Sequence, residues 1–210
     1  MFYNKSMNTK KYSVFNVPKI ADDLKEGLIV AFPTDTVFGL ACVYDNPDAI
    51  NKVKNAKGRS EKKPLPMMCS NIEMVKEVAE LSKAAETLFK HFSPGAITLV
   101  LKKKPSVPDY VTNGFETIAI RIPDNEAILK TIELLGKPLL VTSANLSDEP
   151  SMKTYSEVFS KLNGRIDAIV CMDAKSEVAS TIVDVTDGVK ILRLGQISLD
   201  DIKEIVDVRS

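Results

Sequence analysis

The sequence contains no tryptophan, a single histidine (His91) and three cysteines that form no CxxC pair. These absences exclude several chemistries. A Ser–His–Asp or Cys–His arrangement must use His91, which lies in the run FKHF near a helix end, where a cation complements the helix dipole. Zinc centres need histidine or cysteine at ligand spacing, and no such set occurs, so no protein metal ligand is assigned. Cys42, Cys69 and Cys171 are odd in number and sit in apolar stretches, which fits buried thiols in a reducing compartment. Neither GxxxxGK followed by Ser or Thr nor GxGxxG is present. No apolar run approaches the roughly 18 residues that span a bilayer, and the N-terminal residues lack a signal-peptide core. A cytoplasmic location and no membrane partner are therefore expected. Net charge is also absent: Lys+Arg and Asp+Glu number 28 each. With only 6% aromatic residues, neither bulk charge nor base stacking marks a nucleic-acid binder.

What is present is an alternation of helix and strand signals, hence an α/β fold. At 210 residues the chain suits one domain. A polar, flexible N-terminal segment over 1–15 and a single domain over 16–210 are expected. Asn46-Pro47 starts a helix that Gly58 ends. Ser70 with Glu73, Ser82, Asp124, Thr154 with Glu157, and Ser198 mark further helix starts. Residues 28–32, 65–69, 97–101, 117–122, 138–141, 166–171, 181–185 and 190–194 read as strands, and 105–116 as irregular. The strand-rich last third can add antiparallel strands.

The stretch Phe32–Ala41, FPTDTVFGLA, breaks an apolar strand with two threonines and an aspartate, then resumes it. It suits a pocket wall, or a tight turn in which Thr34 and Asp35 are turn formers. Lys57 and Arg59 flank a glycine. A lysine point charge and an arginine fork there suit a phosphate, although basic residues at a helix C-terminus are favourable without one. Arg121 stands in a strand otherwise built of Thr, Ile and Ala, and a half-buried guanidinium needs an anion from the protein or from a ligand. Ser143-Ala144-Asn145 follows a buried strand, at the end where open α/β sheets bind ligands; a Ser or Asx turn is the alternative. Ser180-Thr181 opens a later strand, and Arg193 ends another before Gly195. Together these residues describe an anion-recognising cleft.

Seven segments, FPTDTVFGLA, KGRSEKKPL, PGAITLVL, AIRIP, TSANLS, STIVDV and ILRLG, occur in an order that resembles the YrdC-like threonylcarbamoyl-AMP synthases of the short bacterial type. The resemblance runs from about Ile20 to Ile205. It implies a twisted mixed α/β sheet, helices packed around it, and a large concave basic cavity. It implies synthesis of threonylcarbamoyl-adenylate and pyrophosphate from L-threonine, bicarbonate and ATP, with Mg2+ carried by the ATP phosphates. Partner proteins would then transfer the threonylcarbamoyl group to adenosine 37 of tRNAs that read codons starting with A. By the resemblance, Lys57, Arg59, Ser143 and Asn145 are catalytic. Those four with Ser151 and Arg193 face ATP, and Thr34, Arg59, Arg121 and Ser180 face threonine. The chain departs from the family pattern at Asp35 (usually glutamate), Phe38 (often tyrosine), Met68 (often histidine) and Asp148 (usually glycine). A second reading, from another class, is a double-stranded RNA or tRNA binder, or a ribosome-assembly protein, using the same basic surface through Lys57–Lys63 and Lys102–Lys104. A third is a carbamoyl-adenylate enzyme akin to a domain of hydrogenase-maturation proteins.

Overall fold

The computed structural model describes residues 8–58 and 64–208. Among these, ten strands form one sheet. They are β1 (Lys10–Tyr12), β2 (Val30–Phe32), β3 (Gly39–Val43), β4 (Met67–Met68), β5 (Ile97–Lys102), β6 (Thr117–Arg121), β7 (Leu139–Ser143), β8 (Ala168–Val170), β9 (Thr181–Asp184) and β10 (Lys190–Arg193). Their order is β1-β8-β2-β3-β7-β4-β6-β5-β9-β10. The sheet is mixed: β2–β3–β7–β4 is antiparallel throughout, while β8 pairs parallel with both β1 and β2.

Period-two alternation sends successive residues of the central strands to opposite faces. Ala31, Leu40, Cys42 and Leu140 join a large core with α2 (Pro47–Lys57), α3 (Ile72–Val78), α4 (Lys83–Phe92), α7 (Tyr155–Leu162) and α8 (Leu199–Lys203). Val30, Phe32, Ala41, Val43, Leu139 and Val141 form a second core with α1 (Val17–Lys25) and α6 (Glu126–Leu135). The sheet is thus buried on both faces at its centre, and its carboxyl and amino strand ends are free to carry polar groups.

Several local expectations are corrected. A short helix, α5 (Asp109–Thr112), interrupts the stretch expected to be irregular. Residues 10–12, inside the expected flexible segment, pair with β8. The cap of α3 is Asn71, not Ser70, because its side chain accepts from the Met74 amide at 2.9 Å. The cap of α6 is Asn125, not Asp124. Asn125 accepts from the Ile128 amide and donates to the Pro33 carbonyl, so the cap also ties α6 to the loop between β2 and β3. Asp124 pairs instead with Lys175 at 3.2 Å. Cys171 is exposed, one residue beyond β8, whereas Cys42 and Cys69 are buried.

Gly39 is required by close approach. A Cβ there would lie 2.7 Å from Cγ1 of Val141 and 3.3 Å from Cγ2 of Thr34. Val141 is β-branched and stiff, so it cannot yield cheaply. Gly39→Ala should cost about 1–3 kcal/mol by overpacking, read as a lowered urea midpoint.

The capping boxes of α7 and α8 generate a pH prediction. Hydrogen bonds from Thr154 hold the Glu157 carboxyl below its ordinary value, and Ser198 does the same for Asp201. A depressed folded pKa gives stability that is complete above the unfolded value and is lost as pH falls through the folded one. Urea midpoints of an E157Q/D201N variant, compared between about pH 6 and about pH 3, should therefore fall less steeply than those of the natural chain.

Candidate active site

Arg121 ends β6 with 5% of its surface exposed. Its guanidinium is held on three sides: Nε donates to the Gly95 carbonyl at 2.9 Å, Nη1 to Thr36 Oγ1 at 2.7 Å and Nη2 to Asp35 Oδ2 at 2.6 Å. An arginine has five N–H donors, so one N–H remains on each terminal nitrogen. Burial pulls the guanidinium pKa down from its ordinary value, and the Asp35 charge and hydrogen bond oppose that shift.

The hydroxyl protons of the FPTDT turn follow from this pairing. Thr34 Oγ1 donates to the Val37 carbonyl at 2.6 Å and accepts from the Thr36 amide at 3.0 Å. Thr36 Oγ1, 3.0 Å from Thr34 Oγ1, must then be the donor of that pair while accepting from Arg121. The chain Arg121 → Thr36 → Thr34 → Val37 carbonyl is fully ordered. Both threonines line a cleft of about 270 Å3, with Arg121, Met68, Ser143 and Ser180 also on its walls. Larger hollows lie beside Tyr110 and beside Phe15, but these residues do not meet there.

A second bracket sets the far wall. Lys57 follows Ile50 by seven residues and Val53 by four, so helical phase puts it on the buried stripe of α2. Only 2% of its surface is exposed. Its ammonium donates to the Ser143 carbonyl, to the Asn145 carbonyl at 2.6 Å and to Asn145 Oδ1 at 3.2 Å. The Asn145 amide donates in turn to the carbonyls of Leu146 and Glu149, and the Ser147 amide to the Lys57 carbonyl. Lys57 and Asn145 therefore shape the loop after β7, while Ser143 and, further on, Ser151 reach the cleft. Within this loop Asp148 has φ of 65°, the left-handed region where the family pattern favours glycine.

The third wall comes from the end of the sheet. Ser180 Oγ lies 2.8 Å from Thr98 Oγ1, and Arg193 donates to the Ser180 carbonyl through Nε at 3.2 Å and Nη2 at 2.9 Å. Gly195 permits this placement. A Cβ on it would collide with the backbone of Ala179–Thr181, while its amide donates to Thr181 Oγ1 at 2.8 Å.

Thr34, Arg121, Ser143, Ser151, Ser180 and Arg193 thus share one cleft; Lys57 and Asn145 stand behind its wall, and Arg59 lies outside the described residues. His91 is elsewhere, its Nδ1 against the Thr87 carbonyl. Asp35, Thr36 and Thr98 were not singled out for the roles they hold here. The alternation of the PTDT segment was the available sign for Thr36, and nothing local pointed to Thr98. Burial pushes the Cys42 thiol up to about 12 and raises Cys69 further, so neither is a nucleophile at neutral pH. What the cleft offers is two guanidinium groups, several hydroxyls and apolar walls. It can bind and orient anions, and among the described residues neither a cysteine nor a histidine lines it.

Comparison with known proteins places these features in context. The family model Sua5_yciO_yrdC, described as telomere recombination, matches residues 22–195. A Pyrococcus abyssi protein named threonylcarbamoyl-AMP synthase is 37% identical over 186 residues, covering 87% of this chain and 55% of its own length. One of the same name from Bacillus subtilis is 37% identical over 95% of this chain and 62% of its own. This chain thus spans little more than half the length of these two curated relatives. A structure of P. abyssi Sua5 complexed with L-threonine superposes with a TM-score of 0.87 at 32% identity, over 96% of this chain and 62% of that one. Escherichia coli YciO, at 21% identity and a TM-score of 0.83, shares the fold over 93% of this chain and 98% of its own.

The bracket makes a prediction independent of any reaction. Lys57→Met takes the ammonium donor from the Asn145 carbonyl and Oδ1, while the Ser143 carbonyl keeps the Asn145 amide, at a cost on the order of 3 kcal/mol. Denaturant unfolding measures the loss, and the loop after β7 should become sensitive to protease.

Proposed function

The chain belongs to the Sua5/YciO/YrdC family, and on that premise we propose that it forms threonylcarbamoyl-adenylate from L-threonine, bicarbonate and ATP. One observation carries this reading: two guanidinium groups and several hydroxyls converge on a single small cleft. The reaction joins a triphosphate, bicarbonate and a carboxylate, three anions whose approach needs compensating charge. The threonine amine forms the new N–C bond, and the bicarbonate carbon loses one oxygen as water. A carbamate oxygen then attacks the α-phosphorus as the bond to pyrophosphate breaks. Orientation and electrostatic stabilisation suffice for such a displacement.

In this reading the two residual N–H groups of Arg121 receive the threonine carboxylate, beside Thr34 and Ser180. Arg193, Ser143 and Ser151 receive phosphate oxygens, and Arg59 bridges the two substrates. Lys57 and Asn145 act by holding Ser143 in place. Among the described residues no three His, Cys, Asp or Glu side chains gather to hold a metal. Mg2+ would be carried by the ATP phosphates, where it would neutralise part of their charge. Partner proteins that modify tRNA would take the adenylate onward.

The RNA-binding alternative draws less support. Lys103 is paired with Asp109 at 3.0 Å and Lys104 with the Lys76 carbonyl, so two of the three lysines in that run are committed within the fold. The test is pyrophosphate release from ATP by the purified chain. Release should require both threonine and bicarbonate, Arg193→Gln should lower it by about 10²-fold, and Arg59→Ala should nearly abolish it. Undiminished release by the Arg59 variant, or release without threonine, would sink the reading.

A further inference from the structure

The two arginines of the cleft are not electrically equivalent. Arg121 carries its own counter-charge, Asp35, at 2.6 Å. Arg193 donates only to the carbonyl and hydroxyl of Ser180, and among the described residues no carboxylate lies within ion-pair distance of it. The Asp35 carboxylate is itself only half satisfied: Oδ2 takes the arginine, while Oδ1 is enclosed and accepts no hydrogen bond. Leaving a buried carboxylate oxygen unpaired works against stability. The arrangement has an electrical consequence instead. At the Arg121 end a ligand meets a neutral pair with two directed N–H groups; at the Arg193 end it meets an uncompensated cation.

We propose that Asp35 is a positioning residue that partitions the two substrates, reserving the Arg121 end for a zwitterionic amino acid and confining polyphosphate to the Arg193 end. The identity of the two ligands rests on the synthase reading above; the partition itself rests on the charge arrangement. An α-amino acid brings both a carboxylate and an ammonium group. An uncompensated guanidinium would attract the first and repel the second, whereas the neutral pair binds the carboxylate by directed hydrogen bonds and spares the ammonium. A triphosphate gains little from a neutral pair and is repelled by the Asp35 carboxylate, so its best position is against Arg193. In a cleft of about 270 Å3 this sorting matters, because phosphates lodged at Arg121 would exclude the amino acid.

Inorganic tripolyphosphate is the probe, with binding read by titration calorimetry and without turnover. In the natural chain tripolyphosphate should compete with ATP and leave L-threonine affinity unchanged; Arg193→Gln should abolish its binding. In Asp35→Asn, which keeps size and an acceptor oxygen, tripolyphosphate should bind about tenfold tighter and lower threonine affinity by about tenfold. Asp35→Glu should restore the natural pattern. A merely structural role for Asp35 would weaken both ligands together without creating competition. The proposal is overturned if tripolyphosphate displaces threonine from the natural chain, which needs no variant to fold, or if a folded Asp35→Asn chain shows no new competition. Threonine binding with the wrong competition pattern overturns the partition alone. No threonine binding by the natural chain overturns the synthase reading and the partition with it.

Discussion

A guanidinium with 5% exposure inside a β-sheet dictates much of what surrounds it. Arginine cannot shed its proton, so the protein must surround it with acceptors. Asp35, Thr36 and the Gly95 carbonyl do so, and each comes from a different side. To deliver Asp35 and Thr36, the chain between β2 and β3 must leave the sheet, turn, and return at Gly39. That excursion is tied down by its own hydroxyl relay, by Asn125 at the cap of α6, and by the amides of Lys175 and Ser176 on the carbonyls of Thr34 and Thr36. The wall of the cleft is the by-product of compensating one charge.

Lys57 repeats the principle with a different partner set. Its ammonium gathers carbonyl and amide oxygens of the segment after β7, and that segment closes over the end of α2. The two buried cations therefore organise two loops, from β2–β3 and from β7–α7, which face each other across the antiparallel β3–β7 pair. Arg193, reached from the other end of the sheet, is the exposed cation of the cleft, held by the Ser180 carbonyl.

Much of this was legible in the amino-acid order. Helix α2 was marked at both ends by Asn46-Pro47 and Gly58, and the capping boxes at Thr154 and Ser198 are formed. The need of Arg121 for an anion followed from its apolar strand, and the sequence left open whether the protein or a ligand supplies it. The structure gives Asp35, a choice that pattern cannot make because the partner lies 86 residues away. Lys57 stands at a helix end, where its charge alone suggests a solvated or phosphate-binding lysine. Its phase against Ile50 and Val53 held the better signal, since a lysine on the apolar stripe must find oxygens inside the fold. Asn71 and Asn125 cap α3 and α6 in place of neighbouring Ser70 and Asp124, because adjacent capping residues are separated only by where the helix begins. Thr98 meets Ser180 across the parallel β5–β9 pair, a register that no local pattern encodes.

The strand order has a temporal side. β1 and β2 do not pair with each other; each waits for β8, which enters between them. During synthesis, at roughly 5–20 residues per second, the interval between β2 and β8 is on the order of ten seconds. Throughout it the hairpin of β2 and β3 offers an open, apolar edge to its surroundings. That edge lies in the half that holds the FPTDT turn, and a late, short, three-residue strand, β8, covers it.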